Sequence, residues 1–146
     1  MAGNSLQDLT QNDWTLIESK AKRMAFTPGQ EIIHEAARIE HLYVIRRGSA
    51  AVELAGTTCR SVIATLLSGD VFGEMAFLGS GRATAAVVAK EEVEVDAVYV
   101  DDMRQIVHAF PGFGMRFYRS LAVIQAERLR QTSRELQREI VSRRHA

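Results

Sequence analysis

The chain has 146 residues (16.2 kDa), 47% apolar and 25% charged, with two prolines, ten glycines and a single cysteine, Cys59. That length suits one domain over residues 1–146, and the apolar share argues against wholesale disorder. One cysteine excludes an internal disulfide or a Cys-rich metal centre, and apolar runs such as Ala85–Ala89 are far short of the roughly 20 residues of a membrane span.

Helical signals open the chain, over about residues 1–24. Thr10 and Asp13 have the spacing of a capping box, and Leu9 and Trp14 that of a hydrophobic staple. Trp14 and Ile17 share a face, and Lys20, Lys22 and Arg23 place positive charge at the helix end. Thr27-Pro28-Gly29-Gln30 reads as a turn.

From about residue 25 to 100 the apolar period becomes two. Tyr43-Val44-Ile45 runs into Gly48, and Ala50, Val52 and Leu54 follow in alternation, a pattern that predicts a hairpin. Ser61–Leu67 and Thr84–Ala89 are further β-rich runs, and Val93, Val95, Ala97 and Tyr99 alternate with Glu94 and Asp96. Short strands broken by glycine turns predict a mainly β protein with flanking α, an antiparallel β-barrel or jelly roll of about eight strands.

Residues 101–146 read as C-terminal helices. Asp101 suits a cap for a short helix that stops at Phe110-Pro111-Gly112. A long helix is expected from about Phe113 towards Arg143. Within it Ala122, Leu129 and Leu136 recur every seven residues, with Ala126, Ser133 and Ile140 four after each, a seam suited to homodimerisation. Phe72, Phe77, Phe110, Phe113 and Phe117 suit core and hinge packing, and Asp70 suits shaping its own turn.

Charge divides with the same boundary. The formal net charge is zero, yet residues 1–103 balance to −6 and residues 104–146 to +6, nine arginines against Glu127, Glu135 and Glu139. A basic helix can approach nucleic acid or an acidic partner, or pair with its own glutamates. With no second reading-helix pattern, DNA binding by this chain alone is not expected. Residues Met1 to Asp8 lack the basic stretch and apolar core of a secretion signal, so a cytoplasmic location is expected.

The stretch that carries chemistry is Gly69-Asp70-Val71-Phe72-Gly73-Glu74-Met75-Ala76-Phe77-Leu78-Gly79-Ser80-Gly81-Arg82-Ala83-Thr84-Ala85. Backbone amides at a short helical turn around Glu74–Ala76 can form an anion nest. Glu74 can accept from a sugar hydroxyl, and the planar guanidinium of Arg82 matches phosphate oxygens. Together they describe a sugar-phosphate site.

With Pro28-Gly29, Leu42-Tyr43-Val44-Ile45, Gly48, Pro111 and the run Ala126-Glu127-Arg128-Leu129-Arg130, this cassette resembles the cyclic nucleotide-binding domain over nearly the whole chain. The nearest pattern is the sensor domain of the catabolite activator protein type without its helix-turn-helix domain. The resemblance implies a double-stranded β-helix fold, with Glu74 on the ribose 2′-hydroxyl and Arg82 on the cyclic phosphate. It also implies phosphate contacts from the backbone of Glu74, Ala76 and Ala83 within a site spanning Gly73, Glu74, Met75, Ala76, Arg82, Ala83 and Thr84. Thr132 and Ser133 fall where a Thr-Ser pair contacts adenine, one residue reaching from the partner subunit. Ala83 after the arginine resembles cassettes that favour cAMP over cGMP.

Two details depart from the family pattern. A turn that commonly carries glycine here reads Glu35-Ala36-Ala37. Arg82 also lies one residue early, so an ungapped alignment puts Ala83 in the arginine's slot. In a strand, a one-residue slip sends a side chain to the opposite face, although Gly79-Ser80-Gly81 can form a bulge that restores its aim.

Two functions follow. One is a regulatory cAMP-sensing module that couples ligand binding to C-terminal helix movement, with an effector protein as output. The other is a degenerate cassette used as a dimerisation or interaction scaffold. An enzyme is not expected. The histidines His34, His41, His108 and His145 form no His-x-His metal pair, and Cys59 has no marked partner base.

Overall fold

The computed structural model describes residues 5–56 and 58–145, so the first four residues of the expected 1–24 segment and Ala146 lie outside the described residues. Helix α1 (Gln11–Lys20) starts where the capping box places it: the Thr10 hydroxyl accepts from the Asp13 amide at 3.1 Å, and the Asp13 carboxylate accepts from the Thr10 amide at 2.9 Å. It ends earlier than the charge pattern suggests. Lys22 and Arg23 belong to strand β1 (Lys22–Phe26), where Arg23 donates to Asp96 at 2.8 Å.

Seven more strands follow: β2 (Glu31–Ile33), β3 (His41–Arg47), β4 (Ala50–Ala55), β5 (Arg60–Leu66), β6 (Val71–Phe72), β7 (Ala86–Ala89) and β8 (Val93–Tyr99). They form two antiparallel four-stranded sheets, ordered β1-β8-β3-β6 and β2-β7-β4-β5, the expected jelly roll. The run through Gly48 is not a hairpin. β3 pairs with β8 and β6, while β4 pairs with β7 and β5. The chain changes sheet at Gly48 (φ +89°), where a Cβ would sit 2.3 Å from the Glu92 carbonyl oxygen, so only glycine fits. The local hairpin is β4–β5, paired from Ala50↔Leu66 to Ala55↔Arg60.

β3 explains why alternation is weak in the first sheet. Tyr43 and Ile45 fill the space between the sheets, while Leu42 and Val44 face the helices, so four consecutive residues are buried. β8 behaves similarly: Val93, Val95 and Ala97 enter the inter-sheet core, and Val98 packs on the helical side. Asp96, expected on the polar face, is buried between Arg23 and Arg46, while Tyr99 is exposed.

Helix α3 (Val100–Ala109) begins one residue before Asp101, which lies in its first turn and not at the cap. The Val100 amide instead donates to the Glu40 carbonyl at 2.9 Å. Pro111 takes the first position of α4 (Pro111–Arg144), where its missing N–H leaves no bond unmade. Phe113, Phe117, Leu121 and Ile124 pack with Met103 and Ile106 of α3 and with Ile17 of α1. Phe110 is exposed at the hinge, contrary to its expected packing role. After Ile124 no described residue of α4 is buried.

A bidentate ion pair ties α1 to α4. Arg116 donates to the two carboxylate oxygens of Asp13 at 2.6 and 2.8 Å, and Asp13 is buried. The Arg116 guanidinium, with the Thr10 hydrogen bonds, outweighs burial and holds the Asp13 carboxyl at about 2, below its ordinary 3.8. Because the folded value is the lower one, the pair's stabilisation is complete above about pH 4 and disappears as pH falls towards 2. Asp13→Asn is expected to lower stability at pH 7 by about 1.5–3 kcal/mol and to flatten the loss below pH 4. Urea titrations of both proteins from pH 7 to pH 2 check this, with the two curves converging at the acid end.

Candidate functional site

The cassette starts from a turn. Asp70 accepts from the Leu67 amide at 2.8 Å, as expected of a residue that shapes its own turn, and β6 then pairs with β3. Gly73 (φ +86°) turns the chain so close to β3 that a Cβ would lie 2.4 Å from the His41 carbonyl oxygen. That turn sends Glu74 inward, to 3% exposure, at the start of the short helix α2 (Met75–Leu78). The Phe77 amide donates to the Glu74 carbonyl at 2.9 Å and the Ala76 amide to the Gly73 carbonyl at 3.3 Å. Met75 is half-buried and packs against the inter-sheet core.

A carboxylate this buried requires a partner. Glu74 Oε1 accepts from Gln125 Nε2 at 3.1 Å and from Arg128 Nη1 at 2.5 Å, both on α4. A second contact runs parallel to it: Phe77 of α2 meets Phe117 of α4 edge to face, with ring centroids 5.3 Å apart. The cassette and the long helix are thus joined by one polar and one aromatic contact. Gln125 and Arg128 were not singled out as site residues from sequence. The available signal was the buried stripe Phe113, Phe117, Leu121, Ile124, whose next position in the 4-3-4 spacing is Arg128. A cation on the core side of an amphipathic helix points to a buried anion opposite.

Arg82 and Ala83 take the ungapped register. Ala83 is buried in the inter-sheet core, while Arg82 is exposed. Gly81 (φ +80°) does not turn the arginine inward. The segment pairs with the turn before β3: the Ala83 amide donates to the Ala37 carbonyl at 2.9 Å, and the Ala36 amide to the Ala83 carbonyl at 2.9 Å. The Arg82 guanidinium donates to the Ala36 carbonyl at 3.2 Å. The Ala83 amide, expected on the cyclic phosphate, is therefore occupied by strand pairing. Thr84 is exposed in a bend ahead of β7, which starts at Ala86 rather than Thr84. Thr132 and Ser133 are exposed on α4, beyond the last buried residue. Gly73, Glu74, Met75 and Ala76 are brought together; Arg82 is exposed on the outer side, bordering a cleft that Ala76 also lines, and Thr84 is exposed in a bend.

Of the residues weighed from sequence and not expected to carry chemistry, His34 is exposed and bonded to Glu31, and Cys59 is exposed. Among the described residues no three His, Cys, Asp or Glu side chains cluster as metal ligands, and no helix is long and apolar enough to cross a membrane.

Residues 23–110 match the family described as the cyclic nucleotide-binding domain. Over 131 residues the chain is 32% identical to Cyclic GMP-binding protein C of Dictyostelium discoideum, covering 88% of this chain and 5% of that protein. It is 28% identical to the Cyclic AMP receptor protein of Thermus thermophilus over 140 residues, covering 93% of this chain and 62% of that one. The crystal structure of the Thermus thermophilus Catabolite Activator Protein superposes with a TM-score of 0.77 at 25% identity, over 94% of this chain and 62% of that chain. The chain thus spans less than two thirds of each of these three proteins.

Ala36 gives the cassette a local test. It has φ +66°, the left-handed conformation that glycine adopts freely, in the turn where the family pattern commonly has glycine. Ala36→Gly relieves that strain, partly offset by the greater freedom of glycine in the unfolded chain. A gain of about 0.5–1 kcal/mol in denaturant-derived stability is expected; an unchanged or lower midpoint would show that the turn holds no strain.

Proposed function

The chain belongs to the cyclic nucleotide-binding domain family, and from that premise we propose that it is a cAMP-responsive regulatory domain whose ligand signal passes to α4 through Glu74. The observation that carries this reading is the pairing of the buried Glu74 carboxylate with Gln125 and Arg128. A ribose hydroxyl that binds Glu74 must share or replace those hydrogen bonds, so occupancy of the cassette changes what holds α4. The Phe77–Phe117 contact adds a packing route between the same elements.

In this reading Glu74 takes the ribose, and Gly73, Met75 and Ala76 shape the pocket around it. Thr132 and Ser133 meet the base when α4 and a partner's α4 close over the barrel. Similarity to a Cyclic AMP receptor protein along 93% of the chain supports cAMP as the ligand, and similarity to Cyclic GMP-binding protein C along 88% makes cGMP the competitor to test against it. Arg82 is left out of the phosphate contact because its side chain lies on the outer surface. The role is binding and regulation, not catalysis, with an effector protein as the output.

Dimerisation belongs to the same proposal. Ala122, Ala126, Leu129, Ser133, Leu136 and Ile140 are exposed along one side of α4, and Met115, exposed at 70%, extends the seven-residue repeat upstream. Leu129→Lys with Leu136→Lys is expected to convert a dimer to a monomer in sedimentation velocity, because both charges would enter the apolar seam. A monomeric parent chain at the same concentration would remove the dimer from the reading.

One observation favours the scaffold reading: Ala83 puts a methyl group where the cassette commonly holds its phosphate-binding arginine. Calorimetric titration decides, with cAMP as ligand and cGMP as control. The expected result is cAMP binding that Glu74→Ala weakens at least ten-fold and Arg82→Ala changes by less than about two-fold. Loss of binding in Arg82→Ala would restore the arginine to the phosphate. No heat with either nucleotide up to millimolar concentration would make the domain a scaffold.

A further inference from the structure

The displaced arginine is exposed, yet it does not stand on a flat surface. It lines a cavity of about 450 Å³ on the outer side of the cassette, between the Gly79–Arg82 loop, the residues that lead into β3 and the start of α3. Arg38 and Arg104 line the same space, and Glu40 and Asp101 are the acids beside them.

The backbone fixes how two of these cations meet. Arg38 and Arg82 form an antiparallel bridge, flanked by the Ala83→Ala37 and Ile39→Gly81 amide–carbonyl bonds of 2.9 and 2.8 Å. That pattern makes them the non-hydrogen-bonded pair, the position at which opposed side chains leave one face at closest approach. Like charges directly opposite each other there are unfavourable. Arg82 has only the Ala36 carbonyl, and the Arg38 guanidinium has no hydrogen-bond or carboxylate partner among the described residues. Arg104 is fixed on the facing wall by the Ala76 carbonyl at 3.2 Å, by Asp101 at 3.5 Å and by the Phe77 ring. Asp101 is thereby committed, and Glu40 is the remaining acid.

We propose that this cavity is a second anion site, separate from Glu74, which takes a phosphate-bearing ligand between Arg38 and Arg82 with Arg104 behind. Two adjacent planar guanidiniums match the paired oxygens of a phosphate or pyrophosphate group better than a single carboxylate does. The anion removes the repulsion of the bridge, and the cavity leaves room for a group attached to the phosphate. The inference does not depend on whether the barrel holds a nucleotide.

The probe is inorganic pyrophosphate, titrated into the full chain and followed by amide chemical shifts. Saturable changes at Arg38–Glu40 and Gly79–Arg82 are expected, with a dissociation constant of about 1 mM or tighter at low salt and weaker binding as salt rises. Arg38→Gln and Arg82→Gln should each weaken binding about ten-fold while leaving the remaining spectrum intact. Retained affinity in both variants, no saturable change up to 10 mM (on the order of the weakest useful affinity), or changes confined to Gly73–Met75 and β4–β5 would overturn the proposal. ADP in a parallel titration separates sources: tighter binding than pyrophosphate assigns a role to the attached nucleoside, and equal binding assigns recognition to the phosphates alone.

Discussion

A carboxylate buried in a β-sandwich is costly without a charged hydrogen-bond partner, and Glu74 finds one fifty-four residues away on α4. Much of the architecture serves that meeting. Gly73 must be glycine for Glu74 to turn inward, and α4 must lie against the cassette for Arg128 to reach it. The Phe113–Phe117–Leu121–Ile124 stripe holds the helix in that position, and the Asp13–Arg116 pair fastens its first turns to α1. The division of charge between the acidic first 103 residues and the basic remainder has a local expression here, since Arg128 brings a C-terminal cation to an N-terminal anion. Other arginines of α4 pair within the helix, Arg130 with Glu127 and Arg143 with Glu139.

Removing one partner from a buried ion pair is costly because the other is left desolvated. A ligand that hydrogen-bonds Glu74 supplies a replacement at the moment it disturbs the original partner. In the proposed function, coupling between pocket and helix would work by competition for the hydrogen bonds of Glu74, alongside the Phe77–Phe117 contact. It also concentrates the coupling at a place where single substitutions can be read separately.

Features governed by local chemistry were legible in the sequence. The capping box at Thr10, the strand periodicity and the glycine turns each depend on residues within a few positions of one another, whereas the long helix, expected from about Phe113, already opens at Pro111. What was not legible depends on pairing across the chain. The Tyr43–Leu54 region reads as a hairpin because two strands flank a glycine, yet sheet membership is decided by β8 and β7, more than thirty residues later. Asp96 reads as a solvent-facing residue of an alternating strand until Arg23 and Arg46 meet over it. The cassette itself was legible down to the ambiguity at Arg82. Only the pairing of Ala36–Ile39 with Gly81–Ala83 decides which face the arginine takes, and that pairing is a tertiary fact.

The hinge and length of α4 have a mechanical consequence. Its 34 residues extend about 50 Å at 1.5 Å per residue. Its last buried side chain is Ile124 and its last contact with the cassette is Arg128, at the midpoint, leaving sixteen described helical residues beyond. About half of the helix therefore lies against the rest of the protein and about half projects beyond it. A tilt of about 10° around Pro111 would carry the far end about 9 Å, while Arg128 would move only about half as far. In the proposed regulatory role, a shift of the helix at Glu74 would thereby be about doubled at its far end.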